Sequence, residues 1–519
     1  MLKFSAPAAH GQYPPAFLTA PACKKWLRTL PLSNVQLAHT AIVTQLNLLN
    51  RFQMPPLERF KIMELLREPV AILQEEQGKR FAAQPLPFEP QVQAVWDGVA
   101  GLWRSMIEAY RYCLLACADG EAEITGQMAQ IIQRCLRQTG LLMREYYRAY
   151  RGIPPGVWRE LHELYAYAEA QRVADLPVKD KQKPSVQVSS CQAEYAQAVL
   201  TYLANPYQLS PKQFKLVNCW LDQLALRVLL EPKAGSGGKA DPIAVDLAGA
   251  APPRHDADGM TQPRFLEAGA LAATLAKRLH RLRKGDKPDD IGLGGDCVQP
   301  ACEQLIEHLY RFCCKGRPKR QFQRRQAAPK AELGFGFEAA YRLLSGENPF
   351  VPSLPECGAG EAQEPVVEIW EVRDESVLGF GLMRHPGKGV PIWHNRLLAL
   401  RPFDGKQFVA GVVRWMNFDS DNELFIGVRL FAGIPAPVMI RPWVSGTETQ
   451  AVFQGALLLP ELAPLRQPPA VILPAGFYRE GVKLEFYDKN ERCHSIVLGA
   501  LLDRGVEYER AAFAYVGEG

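Results

Sequence analysis

The feature that most constrains this chain is a change of texture near residue 331. Before it, apolar residues recur at steps of three and four over long windows. After it, short β-branched and aromatic runs alternate with Gly, Pro and Asp turns. A helical period and a strand period cannot share one element, so the two textures predict two kinds of core. At 519 residues the chain is also too long for a single core, since domains run to about 100–200 residues. The expected class is a multi-domain protein with an all-α N-terminal half followed by an all-β half, the latter holding an antiparallel β-barrel and a β-rich C-terminal extension.

In the first half, Ser33 stands where it can cap a helix carrying Leu37, Ala41, Leu46 and Leu49. Pro55 and Pro56 break that helix. Leu57, Phe60, Met63, Leu66, Val70 and Leu73 then open another, and helical patterns follow over 90–119, 121–150 and 155–173. Residues 1–175 therefore read as a helical domain and the polar, Pro-interrupted stretch 176–191 as a linker. Residues 192–315 read as a second helical region, interrupted by an irregular loop at 232–264 that is relieved by the apolar piece Ile243–Leu247. No fixed period marks a solenoid.

In the second half, runs such as Val366–Val372, Leu397–Leu400, Phe408–Met416, Leu424–Phe431, Lys483–Tyr487, His494–Leu502 and Val506–Phe513 recur at the spacing of barrel strands. A Pro-rich break at Pro460–Pro469 suggests two β units, or one barrel with an extension. The boundaries read are 316–445 for a barrel with an N-terminal arginine segment and 446–519 for the C-terminal β-rich region.

Several function classes are set aside. No apolar run approaches the roughly 20 residues that span a bilayer, and the N-terminus has no continuous apolar core of a signal peptide, so the expected location is the cytoplasm. The twelve cysteines lack zinc-knuckle spacing and read as reduced thiols. Gly334-Phe-Gly336 formally fits a dinucleotide fingerprint but has no βαβ unit around it. His385 and His394 have no carboxylate beside them in sequence and read as loop histidines without a role. Tyr146–Arg148 reads as helix packing. With no acid/base pair, nucleophile or metal set, the chain is not expected to be an enzyme, and no cofactor is expected.

Two motifs remain. Residues 315–330 hold seven basic residues and no acid, among them Arg320, Arg324 and Arg325. An arginine fork can pair with guanine O6 and N7 or with phosphate, and its flat face can stack on a purine. Phe322 is the only aromatic residue in the run, a thin platform that argues against nucleic acid as the partner. After the expected strand Val366–Val372 come Asp374, Ser376 and Gly379. A carboxylate and a hydroxyl two residues apart in an extended segment share a face, where they can accept from guanine N1–H and N2–H2. The glycine permits close backbone approach. Trp415, beside Arg414, is a further candidate to line a ligand cleft.

Arg320-x-x-x-Arg324 followed by Asp374-x-Ser376-x-x-Gly379 and an all-β stretch resembles the PilZ family of cyclic-di-GMP receptors. The likeness extends to Ala410–Met416 and Leu424–Phe431, which look like that family's later hairpin. The resemblance implies a small β-barrel with cyclic di-GMP read by Asp374, Ser376 and Gly379 and wrapped by Arg320, Arg324 and Arg325. It further implies a non-catalytic receptor whose ligand orders the arginine-rich junction and reorients the helical and barrel parts. The helical half would then meet a protein partner. Two alternatives stay open: a scaffold or chaperone-like adaptor with a degenerate barrel, and nucleic-acid binding through the basic run.

Overall fold

The computed structural model describes residues 13–183, 187–235, 242–315, 329–346, 364–419, 421–443, 453–487 and 492–516. The chain divides into two compact units. One is helical and runs to Lys319. The other is β-rich and comprises Arg320–Gly519 with the short piece Pro85–Pro87, where Leu86 pairs with Ile392.

The helical unit contains α1 (Ala20–Leu27), α2 (Val35–Arg51), α3 (Pro56–Lys79), α4 (Pro90–Ala118), α5 (Ala122–Thr125), α6 (Met128–Arg148), α7 (Pro155–Ala170), α8 (Cys191–Leu203), α9 (Pro211–Leu224), α10 (Gly269–Arg283) and α11 (Ala301–Cys314). Local chemistry sets their ends. Asn34, not Ser33, caps α2, accepting from the Leu37 N–H at 3.1 Å. Ser210 and Gln213 form a reciprocal capping box at α9, with Pro211 in its first turn. One continuous apolar core runs from Phe17 to Cys313, so residues before 175 and after 191 share the same interior.

Short strands β1 (Val178–Lys179) and β2 (Val188–Ser189) pair antiparallel. They lie in the segment expected as a linker, which is instead packed inward: Asp180 is 0% exposed and Lys183 only 2%. Four cations (Arg67, Arg134, Arg137, Lys183) meet four carboxylates (Glu64, Asp180, Glu194, Asp222) there. Burial of such charges is tolerated because each is paired and hydrogen-bonded. Of the expected irregular loop at 232–264, residues 236–241 lie outside the described residues. The remainder contributes to a small antiparallel sheet of order β3 (Leu229–Glu231), β5 (Pro263–Glu267), β4 (Ala244–Asp246). Cys297 and Cys302, expected as thiols, are joined by a disulfide.

The β-rich unit holds two closed six-stranded antiparallel barrels. The first uses β6 (Lys330–Phe335), β7 (Val367–Ser376), β8 (Gly379–Arg384), β9 (Leu397–Pro402), β10 (Val409–Phe418) and β11 (Leu424–Leu430), in the order β10-β11-β8-β7-β6-β9. Helix α12 (Phe337–Ser345) follows β6. The second uses β12 (Ala436–Pro442), β13 (Gln454–Leu459), β14 (Ala470–Pro474), β15 (Lys483–Tyr487), β16 (Cys493–Arg504) and β17 (Tyr508–Tyr515), in the order β12-β13-β14-β17-β16-β15. The fold is thus all-α followed by all-β, and the expected extension is a complete barrel that starts at Ala436.

The barrels are fused. Ala340 and Tyr341 of α12, Leu397 and Ala399 of β9, and Ala410 and Val412 of β10 form one core with Leu457, Leu459, Ala470, Ile472 and Tyr508 of the second barrel. Closing each sheet on itself also removes the open edges on which other strands could pair.

Candidate functional site

The Asp374–Gly379 motif lies on the β7–β8 hairpin. Sequence placed it in an extended segment after the strand Val366–Val372; in the structure β7 itself continues through Ser376, and only Val377 and Leu378 form the turn. The extension depends on a bulge at Arg373, where the register shifts between Val372 and Asp374. A bulge re-aims the residues that follow it.

Register then defines a row across four strands. Asp374 lies opposite Gly381, Gly381 opposite Gly427, and Gly427 opposite Trp415. A second row on the same face joins Ser376, Gly379 and Arg429. The alternate residues Leu382, Ile426 and Met416 are buried and face the barrel interior, so both rows face outward. The two glycines let a carboxylate and an indole lie down on the sheet. A Cβ on Gly381 would come within 2.6 Å of Asp374 Oδ1, and one on Gly427 would collide with the Trp415 ring.

Gly379 has a stricter role than ligand clearance. A Cβ there would meet the Val428 carbonyl oxygen of β11, a backbone atom that cannot rotate aside. Ser376 Oγ donates to the Gly379 carbonyl at 3.2 Å and closes the hairpin. Its lone pairs are still able to accept.

Sequence reading named Arg414 only as the neighbour of Trp415 and missed Arg429, Asp503 and Arg510, because two strands of the first barrel and two of the second bring them together. Arg429 pairs with Asp503 at 2.8 Å. Asp503 faces Arg510 across β16 and β17, and the Arg510 guanidinium lies 5.2 Å from the Phe431 ring. Arg414, at a bulge in β10, donates to Asn395 Oδ1 at 2.9 Å. Burial lowers the pKa of Arg414, and repulsion from Arg429 lowers it further. Burial also lowers Arg510, with Asp503 opposing and Arg429 adding to the effect. Three guanidinia thus gather around one carboxylate. Beneath them the Tyr508 hydroxyl is buried and finds no hydrogen-bond partner among the described residues. Positive charge in excess suits an anion.

Arg320, Arg324 and Arg325 lie outside the described residues. His385, read as a loop residue without partners, bonds Glu371 at 2.9 Å and Glu423 at 3.1 Å. Those carboxylates lie on β7 and just before β11, not beside it in sequence, and they raise its pKa. His394 bonds the Arg414 carbonyl oxygen at 3.1 Å. A cavity of about 980 Å³ elsewhere in the β-rich unit is lined by residues including Arg342, Arg401, Phe408 and Pro435, and by none of the motif residues. Among the described residues no group of His, Cys, Asp and Glu is placed to hold a metal. No described helix is long and apolar enough to cross a membrane.

Comparison with known proteins bears on both ends of the chain. Residues 21–234 match the family model of the N-terminal domain of the cyclic-di-GMP receptor FimW, and residues 438–516 match that of the FimW C-terminal β-barrel domain. The second match coincides with the second barrel, and the Asp374–Gly379 hairpin lies between the two. Over 528 aligned residues the chain is 22% identical to the cyclic-di-GMP receptor FimW of Pseudomonas aeruginosa, covering 89% of this chain and 85% of that protein. The family is one of receptors, not enzymes.

Proposed function

We propose that this chain, which carries both terminal domains of the FimW family of cyclic-di-GMP receptors, is itself a non-catalytic receptor for that dinucleotide. The observation that carries the reading is the outward row Asp374–Gly381–Gly427–Trp415 with Ser376 and Arg429 beside it. Asp374 and Ser376 accept from the Watson–Crick edge of a guanine lying against the outer face of the β7–β8 hairpin. The Trp415 indole stacks on a base. Arg414, Arg429 and Arg510 take the phosphates at the seam between the barrels.

In this reading Arg320, Arg324 and Arg325 close over the ligand from the chain that joins the helical unit to the first barrel. Binding energy spent there biases the relation of the two units, and a protein partner of the helical unit reads the change. Calorimetric titration with cyclic di-GMP tests the reading, repeated on Arg320→Ala/Arg324→Ala and on Ser376→Ala. Expected is binding in the parent that weakens in both variants. Affinity unchanged in both removes the site, and absence of binding in the parent removes the function.

A further inference from the structure

The seam between the two barrels holds a carboxylate among three arginines. Asp503 reaches that place through a bulge. The register of β16 against β17 shifts between Leu501 and Asp503, and Asp503 then stands opposite Arg510. Its two oxygens are held separately. Oδ1 accepts from the Arg504 N–H at 3.0 Å, and Oδ2 accepts from Arg429 Nη2 at 2.8 Å. The Arg504 guanidinium turns instead to Glu509, at 2.7 Å.

Arg429 belongs to two neighbourhoods. On β11 it lies opposite Gly379 of the Asp374–Gly379 motif. Across the seam it meets Asp503 of the second barrel. The Arg429 side chain is 45% exposed and that of Asp503 12%, so the guanidinium is open to a ligand while the carboxylate is largely covered. The other two arginines are held close by: Arg414 by Asn395 at 2.9 Å, and Arg510 against the Phe431 ring at 5.2 Å. The negative charge of Asp503 favours the charged forms of both, and Arg429 opposes them. A carboxylate bonded to a guanidinium takes the fork that a phosphate would take. It also repels a second anion brought to the same place.

We propose that Asp503 is the resident anion of this site: it occupies Arg429 until a phosphate displaces it, and its charge sets how tightly the seam binds. Ligand entry exchanges an ion pair between the barrels for a contact between Arg429 and the ligand. This role rests on the barrel reading only for the identity of the ligand as cyclic di-GMP; the chemistry it concerns is that of a phosphate anion.

Asp503→Asn keeps the shape of the side chain and removes its charge. The pair it breaks is partly exposed and adds little stability, so the variant is expected to fold, and Asp503→Ser serves as the second variant. The full-length proteins are titrated calorimetrically with inorganic pyrophosphate and with cyclic di-GMP. Asp503→Asn is expected to bind each about tenfold more tightly than the parent, the scale of one like charge removed close to a bound anion. Asp404→Asn removes an equal charge at the β9–β10 turn, the end of that hairpin away from Arg414, and is expected to leave both affinities unchanged. Unchanged or weaker binding of pyrophosphate in the Asp503 variants, or of cyclic di-GMP where the parent binds it, would show a carboxylate that orients the arginines instead of competing with the ligand, and would overturn the proposal. An equal gain in Asp404→Asn, or no pyrophosphate binding in any of the proteins, would overturn it too. Tighter pyrophosphate binding in Asp503→Asn with no cyclic di-GMP binding in either protein would uphold the role of Asp503 and remove the barrel reading.

Discussion

Trp415 offers the sharpest test of where a base would lie. Its half-buried indole rests on Gly427, the residue opposite it on β11. One ring face is therefore taken by the sheet, and only the face turned away from it can receive a base. Stacking of one base on an aromatic ring contributes about 1–3 kcal/mol, so Trp415→Ala should weaken cyclic di-GMP by about 5- to 150-fold. Trp415→Phe should recover part of that loss, because a smaller ring still presents a π face. The ring sits outside the barrel, away from Leu382, Ile426 and Met416, so neither change should alter the far-ultraviolet circular dichroism. Calorimetric titration of parent and both variants gives the comparison directly. A dissociation constant for Trp415→Ala within twofold of the parent, in a protein that is folded, would refute the placement of the base.

Three further outcomes are expected. Gly379→Ala should lower stability by about 1–3 kcal/mol, the usual cost of overpacking, because its methyl meets the Val428 carbonyl; an unchanged melting temperature would show that the hairpin yields there. Burial acts to raise the Asp180 pKa, but Arg137, Arg67 and Arg134 overcome it and hold the carboxyl down at about 2, below the ordinary 3.8. Its stabilisation is therefore present above pH 3.8 and lost as pH falls through about 2, and Asp180→Ala should cost about 3–5 kcal/mol in urea unfolding followed by helical signal, since buried guanidinia lose their partner. The His385 pKa is raised by its hydrogen bonds to Glu371 and Glu423, so its small contribution to β7–β8 stability should be present below the ordinary histidine pKa and fade as pH rises through the raised one. A His385 ring titrating at or below that ordinary value by NMR would contradict the pairing.

Legibility in the sequence followed the range of the interactions. The pairing of β10 with β11 was readable because its alternating pattern and acidic turn are local. Asp374 and Ser376 were readable as a pair on one face, yet their place within β7 depends on the bulge at Arg373, which no local pattern announces. The segment 176–191 looks like a linker by composition. Its Asp180 and Lys183 are interior only because Arg134, Arg137 and Glu194 arrive from α6 and α8. The Arg414, Arg429 and Arg510 cluster is invisible in sequence for the same reason: its members come from strands of both barrels. His385 was misread because a search along the chain for a neighbouring acid cannot see across strands.

The shared interior around α12 has a mechanical consequence. Leu397, Ala399, Ala410 and Val412 are covered by side chains of the second barrel, with Tyr341 wedged against Gly455. A chain cut before Ala436 would leave that apolar surface bare, so the C-terminal barrel cannot be trimmed away without loss of the first. The two barrels share one interior. In the proposed reading, a push delivered at the Asp374 hairpin would therefore meet packed side chains rather than a hinge at the seam of the barrels.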